Sequence, residues 1–94
     1  TIITTRHANQ RMRERQISFQ HVKFAIRCGT RIEDENEARY CVGPQHLASS
    51  NRRVPRWSNG VVVVVAKNRH IVITVYRDFN WKKYLSRSTS THAA

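Results

Sequence analysis

Carboxylates are scarce in this chain, and their scarcity leaves most of its positive charge uncompensated. Six Asp and Glu stand against 17 Lys and Arg, which gives a formal net charge of +11 at pH 7. Four of the six acidic residues fall within 33–37, too close in sequence to converge on a metal ion. A chain so rich in cations attracts polyanions, and nucleic acid is the first candidate because each neutralised phosphate releases counterions. An anionic membrane surface and an acidic protein stay open as alternatives.

Cysteine is equally sparse, and the chain contains Cys28 and Cys41 alone. Their spacing does not fit a zinc site, and one pair is a thin basis for a disulfide scaffold. We predict that both are core thiols. A single bridge between them stays open if the domain is exported.

Long apolar runs are missing as well. The longest, 61–66, has the length of a strand and falls far short of the roughly 18 residues that a membrane-spanning helix needs. The chain length suits one domain over 1–94, with 78–94 as a partly frayed tail. The first residue is Thr1 rather than Met, which predicts a fragment cut from a longer polypeptide. No motif for a metal or an organic cofactor is visible.

Two helices are predicted at the start of the chain. Thr4 or Thr5 can cap the first, which runs to about Arg15. Ser18 caps the second, and Gly29 stands where a left-handed residue would end it. The apolar residues of the second helix follow helical spacing: Phe19, Val22, Ala25 and Ile26. The link between the two helices is short, so they form a hairpin.

Beyond residue 29 the apolar pattern changes to a period of two, which is typical of strands. Residues 31–33 and 38–42 form one hairpin with the acidic run as its turn, and 61–66 and 71–77 form another. The strand 61–66 is apolar on both faces, as a central strand would be. Alternation along the last strand predicts two faces, with Ile71, Ile73 and Val75 against the helices and Val72, Thr74 and Tyr76 opposite. The fold class is therefore α+β, a helical hairpin packed on an antiparallel sheet of about four strands.

The candidates for RNA binding combine cations with a stacking ring. Residues 43–60 are rich in Gly, Pro, Ser and Asn, which predicts a long loop, and several candidates fall within it. The full set is Arg6, Arg52, Arg53, Arg56, Trp57, Lys67 and Arg77. For the Trp57 ring, anchoring in the core is an equally good interpretation.

Several short stretches of the sequence form a pattern together. They are Thr5-Arg6-His7-Ala8, the run Arg11 to Arg15, Ile17-Ser18, Gly29-Thr30, Val61 to Val65 and Val72 to Tyr76. Over residues 5–77 this pattern resembles a family of small bacterial toxin-tip domains, which are grouped with the barnase, EndoU, colicin and RelE-like ribonucleases. Some relatives are the C-terminal toxins of contact-dependent growth inhibition systems.

The resemblance implies a metal-independent endoribonuclease that cleaves tRNA or another structured RNA. It implies secretion as part of a larger toxin, delivery to the cytoplasm of a target bacterium, and an acidic immunity protein as partner. The crowded arginines of the 43–60 loop match no family motif, so their role is inferred from charge alone.

Cleavage of RNA without a metal needs a base for the 2′-hydroxyl proton, cations for the phosphate and an acid for the leaving 5′-oxygen. His7 and Arg11 lie four residues apart, and therefore on one side of the first helix. There the imidazole could move the proton and the guanidinium could bind the phosphate. The resemblance points to the same histidine. Thr74 and Tyr76 could supply hydroxyl groups from the last strand, but His7 would have to reach them around an edge of the sheet.

Each of these residues also has an ordinary structural interpretation. His7 can simply decorate the first helix, and Arg11 can form an ion pair with Glu14. Thr74 and Tyr76 fit cross-strand pairing.

Two other functions stay open. A non-catalytic nucleic-acid-binding module needs the same charge but no proton carrier. A toxin-antitoxin mRNA interferase would act inside its own cell, with an antitoxin in place of the immunity protein. His46 and His70 are alternative proton carriers to His7.

Overall fold

The chain folds into two helices and a sheet, seen in a computed structural model that describes residues 2–44, 46, 59–67 and 69–85. Its elements are β1 (Ile3–Thr4), α1 (Arg6–Arg15), α2 (Phe19–Cys28), β2 (Thr30–Glu33), β3 (Glu37–Cys41), β4 (Val61–Ala66) and β5 (Ile71–Arg77). The strands lie in the order β1-β5-β4-β3-β2. The predicted α+β class is confirmed.

The sheet differs from the prediction in one strand. From β5 to β2 all neighbours are antiparallel, but β1 pairs with β5 in parallel, so the sheet has five strands and is mixed. The Ile3 amide donates to the His70 carbonyl at 2.9 Å, and the Thr5 amide donates to the Val72 carbonyl at 3.2 Å. A strand of two residues is too short to show a period, which is why the sequence pattern does not reveal it.

The helix starts follow the sequence signals. The Thr5 hydroxyl accepts a hydrogen bond from the Ala8 amide at 3.0 Å, and Ser18 caps α2. The left-handed residue in this region is Gln16, which ends α1 with φ of 55°.

Gly29 is not a left-handed terminator, so that prediction is wrong. Its φ is −72° and its ψ is 167°, an extended conformation open to any residue. Glycine fits here because of close approach: an added Cβ would lie 2.6 Å from the Ala25 carbonyl oxygen and 2.9 Å from the Cys41 carbonyl oxygen.

The two helices cover one face of the sheet. Their buried side chains share one apolar cluster with β3, β4 and β5, in which Ala8, Val22, Ala25, Ala38, Val61, Val63 and Val65 are all fully or almost fully buried. The other face has a second cluster, where Val62 and Val64 of β4 meet Trp81 from the segment after β5. The prediction that β4 is buried on both faces is confirmed. Within the described part of the predicted tail, 78–85, Trp81 and Tyr84 therefore pack against the sheet.

A β-bulge changes which β5 side chains face the helices. Val64 pairs with Thr74 but Val65 pairs with Val72, so β5 contains one extra residue between these pairs. The extra residue brings Val72 into the helix-side cluster, and the prediction that placed it on the opposite face is wrong. Two residues predicted for the helix side are only half-buried: Ile71 and Ile73.

The cysteines differ from each other. Cys41 is buried, as predicted, whereas Cys28 is exposed and the prediction of a core thiol is wrong there. Both thiols are free in this structure. Burial raises the pKa of Cys41 to about 12, so that thiol is protonated at neutral pH.

Candidate functional site

His7 and Arg11 lie on one side of α1, as their spacing predicts. His7 is exposed. Arg11 donates to the Glu14 carboxylate at 2.7 Å, so the ion pair that competes with a phosphate-binding role is formed. The hydrogen bond from Arg11, and then one from Gln10, lowers the pKa of Glu14. Exposed ion pairs of this kind contribute little stability, so a phosphate could replace Glu14 as the partner of Arg11.

Arg15 continues the same side of α1 one turn further and contacts the sheet. Its guanidinium donates to the Val75 carbonyl at 2.6 Å, and the Thr5 hydroxyl donates to the Ile73 carbonyl at 3.3 Å. Both carbonyls lie on β5 beyond its pairing with β1. Arg15 therefore fixes α1 on the edge of β5, which is a structural role.

Thr74 and Tyr76 lie on the sheet face opposite the helices. They pair with Val64 and Val62, whose side chains belong to the second apolar cluster. The structure thus brings Thr74 and Tyr76 together, and His7 and Arg11 together, but the sheet lies between the two pairs. A substrate touching both pairs would have to pass around the edge of β5.

Tyr76 is part of a polar network on this second face. Its hydroxyl lies 3.1 Å from the Tyr84 hydroxyl, which in turn donates to the Asp78 carboxylate at 3.3 Å. Asp78 also accepts from Lys83 at 3.0 Å, and this hydrogen bond is the main cause of its lowered pKa. The hydrogen bond with Tyr76, and then burial, raises the pKa of Tyr84, so the Tyr84 phenol is protonated at neutral pH.

Arg39 joins this network and was not among the predicted site residues. Its guanidinium lies 5.0 Å from the centre of the Tyr84 ring and 3.5 Å from the Asp34 carboxylate. Burial alone would lower the pKa of Arg39, but hydrogen bonds to Tyr76 and Asp34 and the charge of Glu37 outweigh burial and raise it. The sequence does contain a signal for the position of Arg39. Side chains alternate along β3, so Ala38 and Tyr40 point towards the helices and Arg39 lies on the opposite sheet face, which it shares with Tyr76.

The other RNA-binding candidates are scattered. Arg6 is exposed on α1, and Arg77 is half-buried at the end of β5. Lys67 is exposed beside the acidic turn, where its amide donates to the Asn36 carbonyl at 3.2 Å. Arg52, Arg53, Arg56 and Trp57 lie outside the described residues.

Two histidines are held by the fold. His46 accepts from the Gly43 amide at 2.8 Å, and its other ring nitrogen lies 2.9 Å from the Thr30 hydroxyl. His21 is buried in α2, and its Nδ1 accepts from the Ser18 amide at 2.8 Å. His70 is exposed in the β4–β5 turn. Of the alternative proton carriers, His70 is therefore the accessible one.

Charge is separated between the helices and the β2–β3 hairpin. Helix α1 carries four arginines and Glu14, and α2 carries Lys23 and Arg27, so the two helices together have a formal charge of +5. The hairpin from Thr30 to Cys41 has four carboxylates and two arginines, a formal charge of −2. Ion pairs occupy most of the carboxylates: Glu14 with Arg11, Glu33 with Arg31, Asp34 and Glu37 with Arg39, and Asp78 with Lys83. Helix α1 packs on β5, which is separated from β2 by β4 and β3, whereas α2 packs on β4 and β3.

The described residues offer neither a metal-binding cluster nor a membrane-spanning helix. Among them, no three His, Cys, Asp or Glu side chains are grouped so that they could hold a metal ion. Neither helix in this part of the chain is long and apolar enough to cross a membrane.

Comparison with known proteins identifies a domain family. Residues 4–77 match the family model described as Domain of unknown function (DUF4258). The match runs from the second residue of β1 to the last residue of β5. No curated protein and no solved structure shows significant similarity to the chain.

Proposed function

The chain belongs to the DUF4258 family, and we propose that it binds RNA through its helix layer and cleaves it as a metal-independent endoribonuclease. The observation that carries the proposal is the separation of charge, with +5 on α1 and α2 against −2 on the β2–β3 hairpin. A polyanion gains most from the helix layer, since phosphate contacts supply affinity without regard to sequence.

The order of elements supports the ribonuclease part of the proposal. Two helices followed by the antiparallel strands β2 to β5 agree with the arrangement that the toxin-tip resemblance implies. On this proposal the fold is that of the barnase, EndoU, colicin and RelE-like ribonucleases. The domain would then act on tRNA or other structured RNA, as the C-terminal effector of a larger secreted toxin that is delivered to the target bacterial cytoplasm. An acidic immunity protein would neutralise it by covering the cationic helices.

The proposed reaction is attack of the 2′-hydroxyl on the adjacent phosphate. The 2′-oxygen forms a bond to phosphorus and the bond to the 5′-oxygen breaks. The 5′-oxygen takes a proton from solvent water and leaves as a 5′-hydroxyl group, and a 2′,3′-cyclic phosphate remains on the other fragment. His7 is exposed and can take the 2′-proton, and Arg11 can leave Glu14 for the phosphate. A hydroxyl from Thr74 or Tyr76 can assist only where the RNA bends around the edge of β5.

The test is incubation of the purified protein with total tRNA in EDTA. We expect wild type to produce cyclic-phosphate ends and His7→Ala to slow cleavage about 10²- to 10⁴-fold, the usual contribution of a general base. His70→Ala is the matched comparison, since it removes another exposed histidine. We expect wild-type rates, and a loss confined to this variant would move the proton transfer to His70. Equal rates for His7→Ala and wild type would remove His7 from the reaction, and a loss confined to Tyr76→Phe would place the chemistry on the second face.

A second candidate function is RNA binding without cleavage. The separation of His7 from Thr74 and Tyr76 by the sheet favours it, because a binding module does not need these groups to meet. Retained RNA binding with no cleavage by wild type would establish this alternative.

A further inference from the structure

An open groove lies along α1 on the side away from His7. It is lined by Arg6, Asn9, Met12, Arg13 and Ile17 and encloses about 650 Å³. A smaller adjoining groove of about 370 Å³ shares Met12, Arg13 and Ile17 and continues to the start of α2. Because the two share three lining residues, we call them together the α1–α2 groove.

The shape of this groove is fixed by the turn between the helices. Gln16 adopts a left-handed conformation, and the Ile17 amide then donates to the Met12 carbonyl at 2.9 Å. Ile17 is buried in the helix-side cluster, and Met12 packs against the same cluster. The floor of the groove is therefore apolar and anchored to the core.

Cations flank this apolar floor. Arg6 and Arg13 are both exposed, and neither forms an ion pair within the described part of the chain, in contrast to Arg11 with its Glu14 partner. They lie seven residues apart, about two helical turns or 10.5 Å along the axis. No carboxylate lines either part of the groove, and Asn9 contributes an amide between the two arginines.

We propose that the α1–α2 groove binds a segment of single-stranded RNA. Arg6 and Arg13 would hold phosphates along one side, and a base turned out of its stack would lie against Met12 and the Ile17 floor. A base buried within a duplex cannot reach this floor, which is why an unpaired segment is the occupant. The inference rests on the proposed RNA-binding function, but it does not depend on cleavage.

The experiment measures binding of a fluorescent, 2′-O-methylated single strand over a series of salt concentrations. The methyl groups prevent 2′-attack, so binding is read without cleavage. Arg6→Gln/Arg13→Gln should weaken binding and reduce the slope of log K against log salt by about 1.4, since each phosphate contact to a single strand contributes about 0.7. Arg69→Gln/Lys82→Gln is the matched control, because it removes two exposed cations outside the helix layer and should leave the slope unchanged. Equal urea midpoints for all three proteins would show that the folds are comparable.

Each result bears on the groove. A reduced slope confined to the Arg6 and Arg13 variant supports it, even if wild type fails to cleave tRNA. Equal slopes in both double variants would overturn the proposed RNA site in the α1–α2 groove while leaving RNA binding elsewhere on the protein intact. Failure of wild type to bind the strand overturns the groove and the proposed RNA binding together.

Discussion

Gly29 lies where the end of α2 meets β3, and the absence of a side chain allows that contact. The Gly29 amide donates to the Ala25 carbonyl at 2.8 Å, and the neighbouring Cys41 carbonyl approaches from β3. The next residue, Thr30, already pairs with Cys41. The position therefore couples the last turn of α2 to the first residue of β2.

Gly29→Ala should destabilise the protein by about 1–3 kcal/mol, the usual cost of forcing an extra methyl group into a packed site. The clash involves two backbone carbonyls, which cannot move aside as the end of a side chain can. The measurement is the urea midpoint at constant m-value. Cys28→Ala at the neighbouring exposed position is the control and should change stability by less than about 0.5 kcal/mol. A wild-type midpoint for Gly29→Ala would contradict the close approach described here.

Single positions also show where sequence reasoning succeeds and fails. Thr5 and Ser18 could be predicted as caps because capping depends on the few residues that follow. The prediction that Cys28 is a core thiol was based on residue type alone. Cys28 follows Val22 by six residues and therefore lies about 120° from it around a helix of 3.6 residues per turn. Spacing would have placed Cys28 outside the core.

The start of α2 depends on a histidine in a place usually taken by Glu or Gln. Ser18 and His21 form a capping box, in which the His21 Nδ1 accepts from the Ser18 amide. An amide donor requires that Nδ1 carries no proton, so the imidazole is neutral with its proton on Nε2. Burial, and then the charge of Arg77, lowers the pKa of His21 below its ordinary 6.5.

This lowered pKa predicts acid sensitivity. The pKa of His21 is the ordinary 6.5 in the unfolded chain and lower in the folded protein, so between these two values the unfolded chain binds more protons at His21. The free energy of unfolding is therefore highest above pH 6.5 and declines as pH falls through this window. His21→Gln keeps an acceptor for the Ser18 amide but does not titrate. The free energy of unfolding of wild type should therefore decline relative to His21→Gln below pH 6.5, by at most about 1.4 kcal/mol per pH unit because one proton is involved. A constant difference between the two proteins from neutral to acidic pH would contradict this.

The strands divide into those that the sequence reveals and those that it does not. β4 and most of β5 could be predicted because long apolar runs specify buried strands whatever surrounds them. The β5 bulge could not, since it is a property of the pairing between Val64 and Val65 and their partners. The contacts by which Arg15 and Thr5 cover the edge of β5 could not be predicted either. Arg15 lies 60 residues in sequence from its partner Val75, and Thr5 lies 68 residues from its partner Ile73.

For the candidate site, residue types were predictable and their faces only partly so. Alternation placed Thr74 and Tyr76 on the same face, and helical spacing placed His7 and Arg11 on the same side. Alternation also predicted that the sheet separates these pairs, because it put Thr74 and Tyr76 on the face opposite the helices. The contacts that fix α1 on β5 are not encoded by any local pattern. Arg39 was missed for a related reason, since its importance comes from its proximity to Tyr76 on another strand.

The whole molecule is organised by charge. Four of its six carboxylates lie on the β2–β3 hairpin, whereas α1 and α2 together carry six cations and one carboxylate. A polyanion is therefore oriented before any specific contact forms, because the field of the helix layer attracts it and that of the hairpin does not. On the proposed function, the helix layer with its formal charge of +5 is the surface that RNA meets.

The most direct test is an NMR titration of the labelled protein with a 2′-O-methylated single-stranded RNA. The account predicts that backbone amide shifts concentrate in Arg6–Arg15 and Phe19–Cys28 and that residues 33–37 stay unchanged. Shifts concentrated in the β2–β3 hairpin, or confined to Tyr76, Tyr84 and their neighbours on the second face, would contradict it.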